Sequence, residues 1–170
     1  YTAIFDEANV DVIIDSSKHK RHGILLYNNS NYNIRIVYLK RDIRAVSISK
    51  AKWANKFKQK RKNLLNILVR TKLYEIKTKK LLKSLPQEHF IVIRYEELAK
   101  QPQIVANRIS EKFRLSYFDA PIYMDYTYKH TIGGTPSRFE TRKIKYDSSW
   151  EAKAKQKPVF YFIGGLVNSI

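Results

Sequence analysis

Two polar side chains eight positions apart, Arg41 and Ser49, are of the types that can hold a phosphate group. A guanidinium supplies positive charge and a fork of N–H donors, and a hydroxyl supplies a neutral donor. The alternative interpretation is a surface arginine that pairs with Asp42 and a serine that faces solvent. Because basic residues near strand ends are common, the residue types alone leave both interpretations open.

The segment around Arg41 predicts a strand, a turn and a helix. An apolar run over 34–39 is typical of a buried parallel strand, which we expect to end near Lys40. Asp42 is a plausible N-cap for a helix over 45–54. Since helix N-termini at the carboxyl ends of parallel strands attract anions, Arg41 would lie at a ligand-binding edge.

The same alternation continues along the chain and predicts an α/β fold. Further strands are expected over 10–15 and 89–95, and helices over 64–85, 102–113 and 158–170. The helix over 102–113 would begin with Pro102, since proline is tolerated in a first turn. Strands separated by helices imply right-handed crossovers and a parallel sheet.

Two patterns stand out in the last third of the chain. Residues 129–143 contain Gly-Gly and a proline and predict a loop, which carries Arg138, Arg142 and Lys143. The Ser-Ser-Trp-Glu segment over 148–151 has the spacing of a capping box. We therefore expect a short helix to open there.

Charge is the strongest compositional feature. The 170 residues contain 33 Lys or Arg and 15 Asp or Glu, a formal net charge of +18, and residues 40–83 hold 16 of the basic side chains. On the helix over 64–85 the apolar spacing predicts a buried face that includes Tyr74, and a solvated basic face that includes Lys72 explains most of the basic residues. The alternative is attraction of a polyanion, including nucleic acid.

Several functional classes lack their signals. The chain has no cysteine, which excludes disulfides and thiolate metal sites and favours a reducing compartment. The four histidines show no metal-ligand spacing, so no metal is expected. No apolar stretch approaches the roughly 18 residues of a membrane span.

Four segments, in this order, resemble the sulfotransferases that use 3′-phosphoadenosine 5′-phosphosulfate (PAPS). They are IIDSSK, YLKRDIRAVSIS, IRYEELAKQP and HTIGGTPSRF, and a later DSSW also has a counterpart. The resemblance is to bacterial-type members and covers roughly residues 10–165. It implies a P-loop-NTPase-like three-layer fold, a single domain over 1–170 and a cytoplasmic location.

The resemblance implies a role for each candidate site residue. Arg41 and Ser49 would grip the 3′-phosphate, and Arg138 would contact the nucleotide, with Arg142 and Lys143 as further candidates. Lys18 would stabilise the leaving phosphate oxygen, and His19 and His22 are the nearest candidate bases. PAPS would be the co-substrate, and the acceptor a hydroxyl or amine, with an anionic carbohydrate favoured by the basic surface.

The sequence departs from the family in lacking the phosphate-cradling loop that precedes these motifs. No G-x-x-x-x-G-K-[ST] occurs, so we expect the C-terminal portion of a sulfotransferase, inactive as a fragment. A basic nucleic-acid-binding protein is the main alternative. A remnant of a nucleotide kinase is a further alternative, but it would require a Walker loop and carboxylates that bind magnesium.

Overall fold

The computed structural model describes residues 2–16, 20–29, 31–56, 63–121, 123–124 and 142–169. The chain divides into two compact units, Tyr1–Ile34 and Arg35–Ile170, and each is described by itself. The single sulfotransferase domain expected over 1–170 stays a prediction.

The N-terminal unit is helical in its described part. It contains α1 (Thr2–Ala8) and α2 (Lys20–Asn29). The strand predicted over 10–15 is wrong, because these residues form neither helix nor strand. Val12 and Ile14 are 57% and 89% exposed. A β-branched run becomes a strand only where a neighbouring strand completes its hydrogen bonds, and the described residues place none beside it.

The second unit contains most of the regular structure. Its elements, in chain order, are β1 (Ile36–Lys40), α3 (Ile43–Lys56), α4 (Leu64–Leu82), a 3-10 turn (Gln87–His89), β2 (Phe90–Arg94), α5 (Tyr95–Lys100), α6 (Pro102–Phe113), β3 (Tyr123–Met124), β4 (Arg142–Lys143), α7 (Ser149–Lys155) and α8 (Pro158–Ser169). None of the described helices is both long and apolar enough to cross a bilayer.

A parallel pair of strands is the centre of this unit. Strands β1 and β2 run parallel, with Ile36 opposite Phe90 and Lys40 opposite Arg94. Two helices, α3 and α4, connect them, and strand β1 ends at Lys40 as predicted. The α/β class and the parallel connection are confirmed, although the described sheet has two parallel strands where three were expected.

Helices cover the strand pair only in part, and Val37 and Leu39 of β1 are 47% and 46% exposed. On one face Lys40 reaches Glu75 of α4, and on the other Ile93 is almost fully buried while α6 packs against β2. Helix α3 packs against α4, α7 and α8. The main buried cluster lies among these four helices: Ile43, Ala45, Leu68, Trp150, Ala154 and Phe160.

Helix α4 confirms the predicted long helix and corrects its buried face. Tyr74, expected to be buried, is 46% exposed, whereas Lys72 and Glu75 are buried at 7% and 4%. Lys72 was assigned to the solvated face, and this was wrong. Glu75 explains the burial, because Lys40, Lys79 and Lys72 place their Nζ atoms 2.9, 3.2 and 3.8 Å from its carboxylate. We call these four residues the Glu75 cluster.

The start of α7 differs from the predicted capping box. The Ser148 side chain makes no capping hydrogen bond. Instead, Oδ1 of Asp147 accepts the Ser149 N–H at 3.0 Å, and Glu151 accepts from the Tyr146 hydroxyl. A carboxylate is a stronger acceptor than a hydroxyl and benefits from the helix dipole, so Asp147 holds the helix start.

Helices α6 and α8 match their predictions, whereas α1, α2 and α5 were not predicted. Helix α6 begins with Pro102, and α8 occupies the segment predicted as the terminal helix. Within the loop predicted over 129–143, only the last two residues are described. They form β4, which pairs antiparallel with β3.

Candidate anion site at the end of strand β1

Arg41 follows β1 directly and is held by two contacts. Its Cζ lies 4.4 Å from the centre of the Tyr95 ring, and its Nη2 lies 3.4 Å from Oδ2 of Asp147. The side chain is 27% exposed. Its Nε is buried and has no hydrogen-bond partner among the described residues. The guanidinium is therefore positioned by an aromatic face while part of its donor capacity is unused.

Asp42 caps α3, as the sequence predicted. Its Oδ1 accepts the Arg44 N–H at 2.8 Å, and its Oδ2 lies 2.6 Å from Nη2 of Arg44. The interpretation in which Arg41 pairs with Asp42 is thus wrong, because Arg44 takes that carboxylate. The hydrogen bond to Asp42 and the negative charge of Asp42 raise the pKa of the Arg44 guanidinium against the effect of burial.

Helices α7 and α8 hold the first turn of α3 through Arg44. Its Cζ lies 5.2 Å from the Trp150 ring and 4.8 Å from the Tyr161 ring. Gly164 of α8 leaves room for the stem of Arg44, since a Cβ there would come within 2.5 Å of its Cγ. Asn168 adds a link by accepting the Ile43 N–H. The helix start is fixed by packing on aromatic rings as well as by its cap.

Glu96 ties the end of β2 to the same turn. Its Oε1 accepts the Asp42 N–H at 3.0 Å. The next carboxylate, Glu97, pairs with Arg108 of α6. Both side chains make structural contacts. Arg41 and Tyr95 are thereby held side by side at the carboxyl ends of the two strands.

Ser49 is an exposed residue of α3, in the second turn from its start. Ser47, by contrast, is fully buried and donates to the Ile43 carbonyl oxygen at 2.6 Å. An α-helix rises 1.5 Å per residue, so Ser49 lies about 9 Å along the axis from Ile43. Ser49 therefore presents its hydroxyl to solvent on the helix that Arg41 precedes, while Ser47 is occupied by the backbone.

Asp147 is a functional candidate that the sequence did not single out. Its pKa is lowered, first by the hydrogen bond from Ser149 and then by the charge of Arg41. The side chain is 53% exposed. Arg41 and Asp147 are 106 positions apart, and no local pattern pairs them. The sequence signal for Asp147 was its place in the DSSW segment, to which no role was assigned.

A small cavity lies beside this corner. It has a volume of about 240 Å³ and is lined by Asp42, Arg44, Arg94, Glu96, Tyr146, Trp150, Glu151 and Tyr161. Its lining mixes carboxylates with guanidinium groups and includes neither Arg41 nor Ser49. Burial, and then the hydrogen bond to Glu151, raise the pKa of Tyr146. The cavity therefore offers no excess of positive charge for a phosphate.

Most of the other predicted site residues lie outside the described residues or are described only in part. Lys18, His19 and Arg138 lie outside the described residues, and only the backbone of Arg142 is described, in β4. Lys143 is an exposed residue of the same strand. The geometry thus bears on two of the proposed nucleotide contacts, Arg41 and Ser49.

His22, a candidate base, lies in the N-terminal unit on helix α2. Its Nδ1 is 3.6 Å from Oδ2 of Asp15, and its side chain is 44% exposed. Among the described residues, no group of three or more His, Cys, Asp or Glu side chains could hold a metal ion.

An exposed arginine and a helix start at the carboxyl end of a parallel strand are features of α/β proteins that bind anionic ligands. Comparison with known proteins gives the family. The family model described as the sulfotransferase domain matches residues 12–117, more than half of the chain, and the chain belongs to this family. The match includes α2, β1, α3, α4, β2, α5 and all of α6.

Among solved structures, the chain is similar to the sulfotransferase domain from the curacin biosynthetic pathway. The two are 18% identical with a TM-score of 0.48, and the match covers 78% of this chain. It covers 51% of that chain, so the sequence spans about half the length of this relative. The assignment to the family rests on the match to the family model. No match was found among curated proteins.

Proposed function

We propose that this chain contributes the 3′-phosphate site of a PAPS-dependent sulfotransferase. One observation carries the proposal: the Arg41 guanidinium lies at the end of β1, backed by Tyr95, with a buried Nε that lacks a hydrogen-bond partner among the described residues. A phosphate oxygen would satisfy such a donor, and two of its oxygens could accept from the guanidinium fork. The Ser49 hydroxyl would add a neutral donor from α3.

The reaction that follows from this role is transfer of a sulfuryl group to an acceptor oxygen or nitrogen. The bond between sulfur and the 5′-phosphate oxygen breaks, a bond to the acceptor forms, and the acceptor proton passes to a base. Lys18 is proposed to neutralise charge on the leaving phosphate oxygen, with His19 or His22 as the base. Arg138, Arg142 and Lys143 are proposed as further nucleotide contacts.

For the acceptor we propose a carbohydrate hydroxyl, with an anionic glycan favoured by the net charge of +18. Calorimetric titration of the chain with anionic and neutral oligosaccharides would test this. Equal affinity for both would contradict the role of charge. A cytoplasmic location is proposed on the lack of cysteine alone.

The test of the nucleotide site is calorimetric titration with 3′-phosphoadenosine 5′-phosphate (PAP), the product left after transfer. We expect Arg41→Ala to weaken binding by about 10- to 100-fold, because a charge-assisted contact is lost. Ser49→Ala should weaken it by about 2- to 10-fold, the effect of one neutral hydrogen bond.

Matched controls separate the site from general charge effects. Arg70→Ala removes an equally charged, exposed side chain from α4, and Ser116→Ala removes an exposed hydroxyl. Both should leave the affinity for PAP unchanged. If Arg70→Ala weakens binding as much as Arg41→Ala and the affinity falls steeply with salt, the nucleic-acid-binding alternative gains and the nucleotide site is wrong.

A further inference from the structure

The described ionic partner of Arg41 is a carboxylate that a phosphate would have to replace. Asp147 presents Oδ2 to Nη2 of Arg41 at 3.4 Å, a long contact for an ion pair. The Asp147 side chain is half exposed, and its Oδ1 is occupied by the Ser149 N–H. One carboxylate therefore joins two tasks, capping α7 and neutralising Arg41.

We propose that Asp147 is an affinity-determining residue of the anion site, whose carboxylate occupies Arg41 in the free protein and is displaced by the nucleotide 3′-phosphate. This inference rests on the proposed function of Arg41. Both groups are anions that accept from the same guanidinium, so they compete for it and repel each other. Asp147 thus lowers the affinity for nucleotide and favours its release.

The strength of the contact fits a displaceable partner. Exposed ion pairs contribute little because water and salt screen them. A phosphate can accept two N–H bonds from the fork, and the unpartnered Nε of Arg41 offers one more donor. The ring of Tyr95 lies against Arg41 from another element, α5, and can keep the guanidinium in place while the carboxylate leaves.

The charge of Asp147 can be removed while its hydrogen bond from the Ser149 N–H is kept. An asparagine at this position retains a side-chain oxygen for the Ser149 N–H, since asparagine and aspartate both accept from the backbone N–H two residues on. Asp147→Asn should therefore keep α7 in place. Asp147→Ala would remove the cap as well and serves to measure that separate contribution.

The experiment is calorimetric titration of the whole chain with PAP and with adenosine 5′-monophosphate, which lacks the 3′-phosphate. We expect Asp147→Asn to bind PAP about three- to fivefold more tightly, the scale of a lost exposed ion pair. Its affinity for the monophosphate should not change. Asp119→Asn, at another exposed acidic residue, makes the same change in net charge and should have no effect on either ligand.

A double-mutant cycle ties the effect to the contact. In an Arg41→Ala background, Asp147→Asn should no longer improve binding of PAP. A gain of the same size for Asp119→Asn, or for the monophosphate, would overturn the inference while leaving the nucleotide site intact. Arg41→Ala binding as tightly as the unaltered chain would overturn the nucleotide site itself. No saturable binding of PAP by the unaltered chain would overturn both.

A measurement without nucleotide checks the contact directly. The pKa of the Asp147 carboxyl, followed by carbon NMR, should rise when Arg41 is replaced by alanine, because a neighbouring cation holds it down. It should stay unchanged in Arg70→Ala. An unchanged pKa in Arg41→Ala would mean that the pair does not form in solution, and this too would overturn the inference.

Discussion

Lys40 and Arg41 are neighbouring cations at the end of one strand, yet their surroundings differ. Lys40 turns to α4, where its Nζ lies 2.9 Å from Glu75, a carboxylate with a side chain only 5% exposed. Arg41 turns to Tyr95 and to Asp147, which is 53% exposed and 3.4 Å away. The first cation is enclosed in the Glu75 cluster, and the second is held at the surface.

The comparison separates cations that build the fold from a cation available to a ligand. The two other lysines of the Glu75 cluster, Lys72 and Lys79, place further positive charge around the same carboxylate. Removing the charge of Glu75 would therefore leave buried ammonium groups without a counter-charge. Arg41 keeps a partly exposed guanidinium and a weakly bound, half-exposed counterion. Adjacent positions in the sequence therefore divide into a structural and a functional role, according to what each side chain packs against.

The largest effect is expected from Glu75→Gln. The substitution leaves Lys40 and Lys72 without a buried counter-charge and should lower the free energy of unfolding by about 3–5 kcal/mol. Urea unfolding followed by fluorescence would measure it. Glu88→Gln, at an exposed residue of the 3-10 turn, is the control and should change stability by less than about 0.5 kcal/mol.

If Glu75→Gln lowers the free energy of unfolding by less than about 1 kcal/mol, then Lys40, like Arg41, contributes little to stability through its ion pair. Such a result would mean that the lysines reach water after the substitution. The affinity of the folded protein for PAP should not fall in this variant, since Glu75 contacts none of the residues that are proposed to bind the nucleotide.

The stability of the protein should also depend on pH through the carboxylate of Glu75. Burial acts to raise the pKa of Glu75, but Lys40 and Lys79 outweigh it, and the pKa is lowered. A carboxyl with a lowered folded pKa contributes stability above its unfolded pKa of about 4.3 and loses it as the pH falls through the folded value. Unfolding measured from pH 6 to pH 2 should show this loss, and Glu75→Gln should flatten it. Equal acid sensitivity in both proteins would assign the effect to other carboxylates.

An intermediate effect on stability is expected from a substitution that fills the space beside the Arg44 side chain. Gly164→Ala would place a Cβ 2.5 Å from Cγ and 2.9 Å from Cδ of Arg44, and should destabilise the protein by about 1–3 kcal/mol. Gly165→Ala meets only Nη1 of Arg44 at 3.5 Å, an ordinary contact. This neighbouring variant should be stabilised by up to about 1 kcal/mol, because alanine favours helix more than glycine.

Thermal unfolding of the two glycine variants would measure the difference. A stabilised Gly164→Ala would show that the Arg44 stem moves aside without cost. The frame around the helix start would then be looser than its contacts with Trp150 and Tyr161 indicate.

The smallest effect on stability is expected from Arg41→Lys. A half-exposed ion pair contributes about 0–1 kcal/mol, so the free energy of unfolding should change little. Binding of PAP should still fall by about tenfold, because an ammonium cannot offer the bidentate fork of a guanidinium. Calorimetry and urea unfolding of the same samples would separate the two. A stability loss comparable to that of Glu75→Gln would place Arg41 among the structural cations.

Local patterns predicted the parts of this molecule that depend on neighbouring residues. The apolar run before Lys40 predicted β1, and Asp42 was predicted as the cap of α3. The period of apolar residues predicted α4, and Pro102 marked the start of α6. These features follow from backbone hydrogen bonding and side-chain periodicity within a few turns, so a single sequence contains them.

The sequence by itself therefore determined the α/β class, the order of most elements and the place of Arg41 at a strand end. Only the tertiary structure decided the partners: Asp147 for Arg41, Glu75 for the buried Lys72, and none, among the described residues, for a strand over 10–15. Asp147 lies 106 residues from Arg41. Charge pairing and strand pairing depend on which surfaces meet after the chain has packed, and no local pattern records that.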